Sequence, residues 1–220
     1  MNTFATPAPI TAAFDVPAGR VQVIAADRAD TVVDVRPANP AKGRDVKAAE
    51  QATVEFADGT LKVRAATGNR YLGSSGAIEV TVQLPAGSRV EGTAAATEFR
   101  GVGRLGEVAF DGAYRHIKID EAAAVRLTAT DGDVEVGHLN GPADISTQRG
   151  DIRITQAAGG RVELRTRSGD VSVGAAPGVS AALDARTSYG RVTNSLKNDG
   201  TTGLTIDATT DHGDITARSL

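Results

Sequence analysis

The 220-residue chain contains no cysteine and no tryptophan, and aromatic residues make up only 4% of it. The first absence excludes disulfides, thiolate catalysis and cysteine metal sites. The scarcity of aromatics removes the stacking platforms on which sugar sites usually rely. Neither sign of charge dominates: 24 Lys and Arg stand against 27 Asp and Glu, a net charge of -3. Nothing electrostatic therefore favours a nucleic acid. There is no long apolar run, and the first basic residue is Arg20, so neither a membrane-spanning helix nor a secretory leader is legible. These features predict a cytoplasmic protein with no nucleic-acid and no membrane partner.

Glycine, in contrast, is abundant, and its placement is periodic. Gly132, Gly150, Gly169, Gly190 and Gly213 are followed by Asp133, Asp151, Asp170, Arg191 and Asp214. Apolar residues precede each glycine in alternation, as Val162 and Leu164 do before Gly169, and another follows, as Val171 does. Each unit reads as a strand, a glycine turn and a second strand, with side chains alternating between two faces. Such a unit cannot bury its apolar face alone and must stack on its neighbours.

The pattern extends upstream to turn slots at Arg115 and Thr97, which predicts about seven rungs. Leu139, Ala157 and Val179 suit a third short segment between successive rungs. Insertions at 176–180 and 197–203 read as side loops. The predicted fold is all-β: a single-stranded parallel β-helix or β-solenoid over 89–220, right-handed by the crossover rule. Residues 1–88 differ. Short strands are readable at Ala12–Val16, Val21–Ala25 and Thr31–Arg36, with a hairpin turning at Asp58-Gly59 and a helical turn near Val46–Ala52. This part is expected to form an antiparallel β-cap over the first rung, continuous with the solenoid.

Taken together, FDVPAGRVQV, IEVTVQLPAGSRV and the repeated RGDIRI, RSGDVSV and HGDITA resemble the bacterial "putative adhesin" family of unknown function, described as β-strand-repeat containing. The resemblance covers nearly the whole chain. It implies a single-stranded β-helix or β-solenoid and carries over no established catalytic residue.

Several constellations bear on function. The aspartates after the turn glycines suggest a stacked Ca²⁺ site, but Asp beside Gly ordinarily binds turn N–H groups, and that reading is preferred. His116, His138 and His212 occupy different slots, and no HExxH pair is present. No metal and no cofactor is therefore predicted. A second acidic row, Asp144, Glu163, Asp184 and Asp207, lies six residues before each glycine and faces outward by parity. Arg165 and Arg186 share that face and offset its like-charge repulsion.

These six residues form the predicted binding surface of a non-enzymatic scaffold with a protein partner. One alternative is homo-oligomerisation through the C-terminal edge, because Leu220 follows the last strand almost directly. Another is a polysaccharide-active enzyme, which requires a cleft with paired carboxylates or a Lys or Arg base; the acidic row offers carboxylates, but nothing marks two of them as special. Inward parity further predicts that Ile145, Leu164, Ile152, Val171 and Val192 are buried and that Thr147, Thr166, Thr187 and Thr210 stack at one corner.

Overall fold

The computed structural model describes residues 1–65, 76–93, 95–113 and 116–220. The expected turn residue Arg115 lies outside them. Among the described residues are nineteen strands and one helix. In chain order the first strands are β1 (Asn2–Ala5), β2 (Thr11–Asp15), β3 (Ala18–Ala26) and β4 (Asp30–Pro37), then helix α1 (Gly43–Glu50). Next come β5 (Thr53–Ala57), β6 (Thr60–Arg64), β7 (Ile78–Pro85) and β8 (Arg89–Thr93). Two long strands, β9 (Ala96–Ala113) and β10 (Ile117–Asp131), precede β11 (Val134–Leu139), β12 (Ala143–Arg149) and β13 (Ile152–Ala157). The chain ends with β14 (Gly160–Ser168), β15 (Val171–Ala175), β16 (Ala181–Tyr189), β17 (Val192–Ser195), β18 (Leu204–His212) and β19 (Ile215–Ser219).

The repeat unit folds as its alternation dictates. The strand before each turn glycine joins one parallel ladder and the strand after it joins a second. The first ladder runs β6, β2, β8, β9, β10, β12, β14, β18, β16. The second runs β7, β3, β9, β10, β11, β13, β15, β19, β17. β9 and β10 bend through corners and serve both ladders, so the whole is one open hydrogen-bonded sheet wound into a β-solenoid. A short third ladder closes the cross-section, with Leu105, Ala122, Leu139, Ala157 and Ala175 buried in one column. Leu139 and Ala157 were expected there; Ala175, rather than the half-buried Val179, continues the column.

Two features depart from sequential stacking. The last rung in sequence, β18–β19, lies between β14–β15 and β16–β17. Leu220 accordingly follows a rung that is paired on both sides, and its N–H donates to the Ala175 carbonyl at 3.0 Å. The C-terminal edge expected for self-association is thus already paired, and the open end of the solenoid is β16–β17. Residues 197–203 form the crossover that makes this return possible, not a side loop on a sequential stack. At the other end, β2–β3 lies between β6–β7 and β8–β9, so the parallel ladders run across residue 88. The antiparallel covering consists of β1 on β4, β4 on β7 and β5 on β6. The β5–β6 turn uses Asp58 at φ 49° and Gly59 at φ 71°, the conformation an Asp-Gly hairpin turn requires.

Rung order explains the burial pattern. Ile145, Leu164 and Ile152 are fully buried and Val171 nearly so, but Val192 is 44% exposed. Val192 holds inward parity on the terminal rung, where no further rung covers it. Its expected burial is thereby corrected.

At the corner, Thr147, Thr166, Thr210 and Thr187 stand in one column of register partners. Three of their hydroxyls donate across rungs to turn carbonyls at 3.0 Å: Thr166 to Gly150, Thr210 to Gly169 and Thr187 to Gly213. The adjacent glycines leave no room for a side chain. A Cβ on Gly150 would lie 2.3 Å from the Gly132 carbonyl oxygen, and Gly150 has φ +132°.

The aspartates after these glycines are turn-binding groups. Asp133 accepts the N–H of Asp151, Asp151 that of Asp170, and Asp170 that of Asp214, at 2.7–2.8 Å. Each carboxylate thus satisfies a backbone donor of the next rung.

Candidate functional site

The first ladder sets one outer face. Because its rungs are in parallel register, residues six before each glycine form a single row across the strands. Register pairs Asp144 with Glu163, Glu163 with Asp207, and Asp207 with Asp184. All four predicted carboxylates are brought together, in the spatial order 144, 163, 207, 184. Two residues further on, Arg165 and Arg186 flank Thr209 on the same face.

Like charges at strand spacing repel unless cations intervene, and arginines intervene here. Arg165 bridges rungs, with Nη1 3.2 Å from Asp144 Oδ1 and Nη2 hydrogen-bonded to Glu163. Arg186 pairs within its own strand with Asp184 at 3.1 Å. Arg161 was not singled out from the sequence, yet it binds Glu163 at 2.7 Å and Asp207 at 3.1 Å. The hydrogen bond from Arg165 holds the Glu163 carboxyl below the usual carboxylate range, and the same bond raises the Arg165 guanidinium. The row is consequently a lattice of alternating charge, not a free anionic strip.

A depression of about 620 Å³, not predicted from the sequence, lies on this face beside the row. Ala13 and Ala109 sit on its outward side in one register row with Lys62, Glu91 and Arg126. Arg64 also lines it. Among the described residues, no ion pair involves Lys62, Arg64 or Arg126. The signal was present in the sequence as two alanines at outward slots, where larger polar residues usually stand. The histidines lie elsewhere: His138 pairs by register with Glu121 and Gln156, and His212 stacks on Tyr189 with ring centroids 5.0 Å apart.

Parallel ladders and glycine corners define a repeat β-solenoid. The match to the Toastrack DUF4097 family spans residues 15–218, and the chain belongs to that family. Its fold is similar to that of a putative adhesin from Bacteroides fragilis, at 14% identity and a TM-score of 0.52, covering 100% of this chain and 95% of that one. A putative cell adhesion protein from Clostridium sporogenes is similar at 10% identity and a TM-score of 0.43, covering 100% and 98%. No curated protein matches the chain. Among the described residues, no helix is long and apolar enough to cross a membrane.

Proposed function

We propose that the protein is a non-catalytic binding scaffold that presents the outer face of its first ladder to a protein partner. The observation that carries this reading is the lattice of Asp144, Glu163 and Asp207 cross-linked by Arg161 and Arg165, beside a depression rimmed by Lys62, Arg64 and Arg126. Parallel register fixes these groups before any partner arrives, which reduces the ordering cost of association. The rim cations, which form no ion pair among the described residues, provide directional contacts for acidic or amide groups. The protein of similar fold from Bacteroides fragilis is named a putative adhesin, in keeping with a binding role.

The test is affinity purification from the native cell with the wild-type chain and with the triple variant Asp144→Lys, Glu163→Lys, Asp207→Lys. A partner that binds the wild type, and loses binding to a folded triple variant when both are purified, supports the reading. Equal calorimetric affinity for the two chains removes this face from consideration.

A further inference from the structure

We infer that the open rung is a homodimer surface, in which β16 pairs antiparallel with β16 of a second copy about a two-fold axis at Ala185. The solenoid ends differ. One is covered by the antiparallel strands β1, β4 and β5, while at the other β16 and β17 each have a single ladder neighbour among the described residues. A strand with one free edge presents a row of unpaired N–H and C=O groups.

The free stretch can be delimited. The Ala181 N–H is taken by the Lys197 carbonyl at 3.0 Å, and the Ser180 carbonyl accepts from Gly203 and Leu204 on the β18 side. Backbone groups alternate between the two edges of a strand. Leu183, Ala185 and Thr187 therefore turn their N–H and C=O groups to the open side. These residues hold the inward face and remain only half-buried, unlike their counterparts Ile206, Ala208 and Thr210 one rung inside.

A head-to-tail continuation is disfavoured twice over. The opposite end of the solenoid is covered, and Arg191 replaces the aspartate that each interior turn uses to accept the next N–H. A guanidinium has no acceptor. A two-fold contact has neither problem, because it joins like to like.

Register then follows from side-chain face and charge. Inward residues must meet inward residues, so the axis must pass through a residue, not between two. An axis at Asp184 sets carboxylate against carboxylate, and one at Arg186 sets guanidinium against guanidinium. Axes at Leu183 or Thr187 run off the free stretch. An axis at Ala185 places Asp184 opposite the second copy's Arg186, and the reverse, closing each 3.1 Å intrachain pair into a four-membered ring of alternating charge. Leu183 then faces the second copy's Thr187 across the joined core.

The experiment is sedimentation of the full chain from about 1 to about 500 μM, a range that brackets weak strand-edge dimers. The wild type is expected to show a reversible monomer–dimer equilibrium. Asp184→Arg and Arg186→Asp, each placing like charges across the axis, should weaken it about tenfold or more. Both side chains are exposed, so far-UV circular dichroism and thermal midpoints should remain those of the wild type. Mixing the two variants should restore dimerisation as a heterodimer, because each then supplies the charge the other lacks. A wild type that stays monomeric throughout overturns the proposal. So does a dimer that both single variants form as tightly as the wild type, or a mixture that does not recover.

Discussion

The carboxylate of Asp214 accepts the backbone N–H of Arg191 at 2.8 Å, joining two turns 23 residues apart in sequence and adjacent in space. The bond runs backwards along the chain, from the last rung to the one before it. It completes a ladder whose spatial order is Asp133, Asp151, Asp170, Asp214, Arg191. Arginine stands at the one position in this ladder where no further turn arrives to be accepted.

Removing an interior acceptor should therefore destabilise the fold, whereas changing the terminal residue should not. Asp170→Ala leaves the Asp214 N–H without its partner and is expected to cost about 1 kcal/mol. Arg191→Ala is expected to lie within about 0.5 kcal/mol of the wild type. Urea midpoints of the two variants provide the comparison.

Core residues should divide by rung. Leu164 is fully buried between neighbouring rungs, and Leu164→Ala is expected to cost about 2–5 kcal/mol. Val192 has the same parity but lies 44% exposed on the terminal rung, so Val192→Ala should cost less than about 1 kcal/mol. Equal losses in chemical denaturation would contradict the rung order described.

Turn glycines should divide by what faces them. A methyl group on Gly150 meets the Gly132 carbonyl oxygen at 2.3 Å in addition to adopting φ +132°. Gly200 has φ +94° with nothing within 4 Å. Gly200→Ala is expected to cost about 1–3 kcal/mol from backbone strain alone, and Gly150→Ala distinctly more. Thermal midpoints measured in parallel check the order.

Acid should weaken the charged lattice in a defined window. The hydrogen bond from Arg165 depresses the folded-state ionisation of Glu163, so its contribution is present above the ordinary glutamate value, near 4.5. It is lost as pH falls through the lower folded value. Glu163→Gln should lower stability slightly at neutral pH and flatten its dependence on pH below about 4.5, because this group no longer titrates. Urea midpoints recorded from neutral pH downward measure both effects.

Much of this architecture was legible in the sequence because one residue type answers one geometric demand. Glycine recurs where a carbonyl approaches within van der Waals distance of the next turn, so its period marked the rungs. Alternation then assigned Ile145, Leu164 and the row of Asp144, Glu163, Asp184 and Asp207 to their faces. Rung order was not legible, because Val162, Leu183 and Ile206 are interchangeable as neighbours in an apolar column. The signals that bear on it are Arg191 in an aspartate slot and the long 197–203 segment, and both acquire meaning only from the stacking. Arg161 was overlooked for a related reason. Its slot holds Pro142, Ala182 and Thr205 in other rungs, so no repeated charge marked it, and its link to Asp207 exists only because β18 lies beside β14.

The return of the last rung into the stack underlies the open end, the dimer register and the order of the charged row, and one pair of disulfides tests it. The chain has no cysteine of its own. Register places Arg165 beside Thr209, and Thr209 beside Arg186. Neighbouring strands lie about 4.8 Å apart, within reach of a disulfide, whereas residues two strands apart are about 10 Å apart and beyond it. Mild oxidation of the Arg165→Cys, Thr209→Cys variant should close an intramolecular disulfide, read by mass spectrometry, and the Arg165→Cys, Arg186→Cys variant should stay reduced. A disulfide between 165 and 186, with none between 165 and 209, would show that the rungs stack in sequence order and would contradict the account.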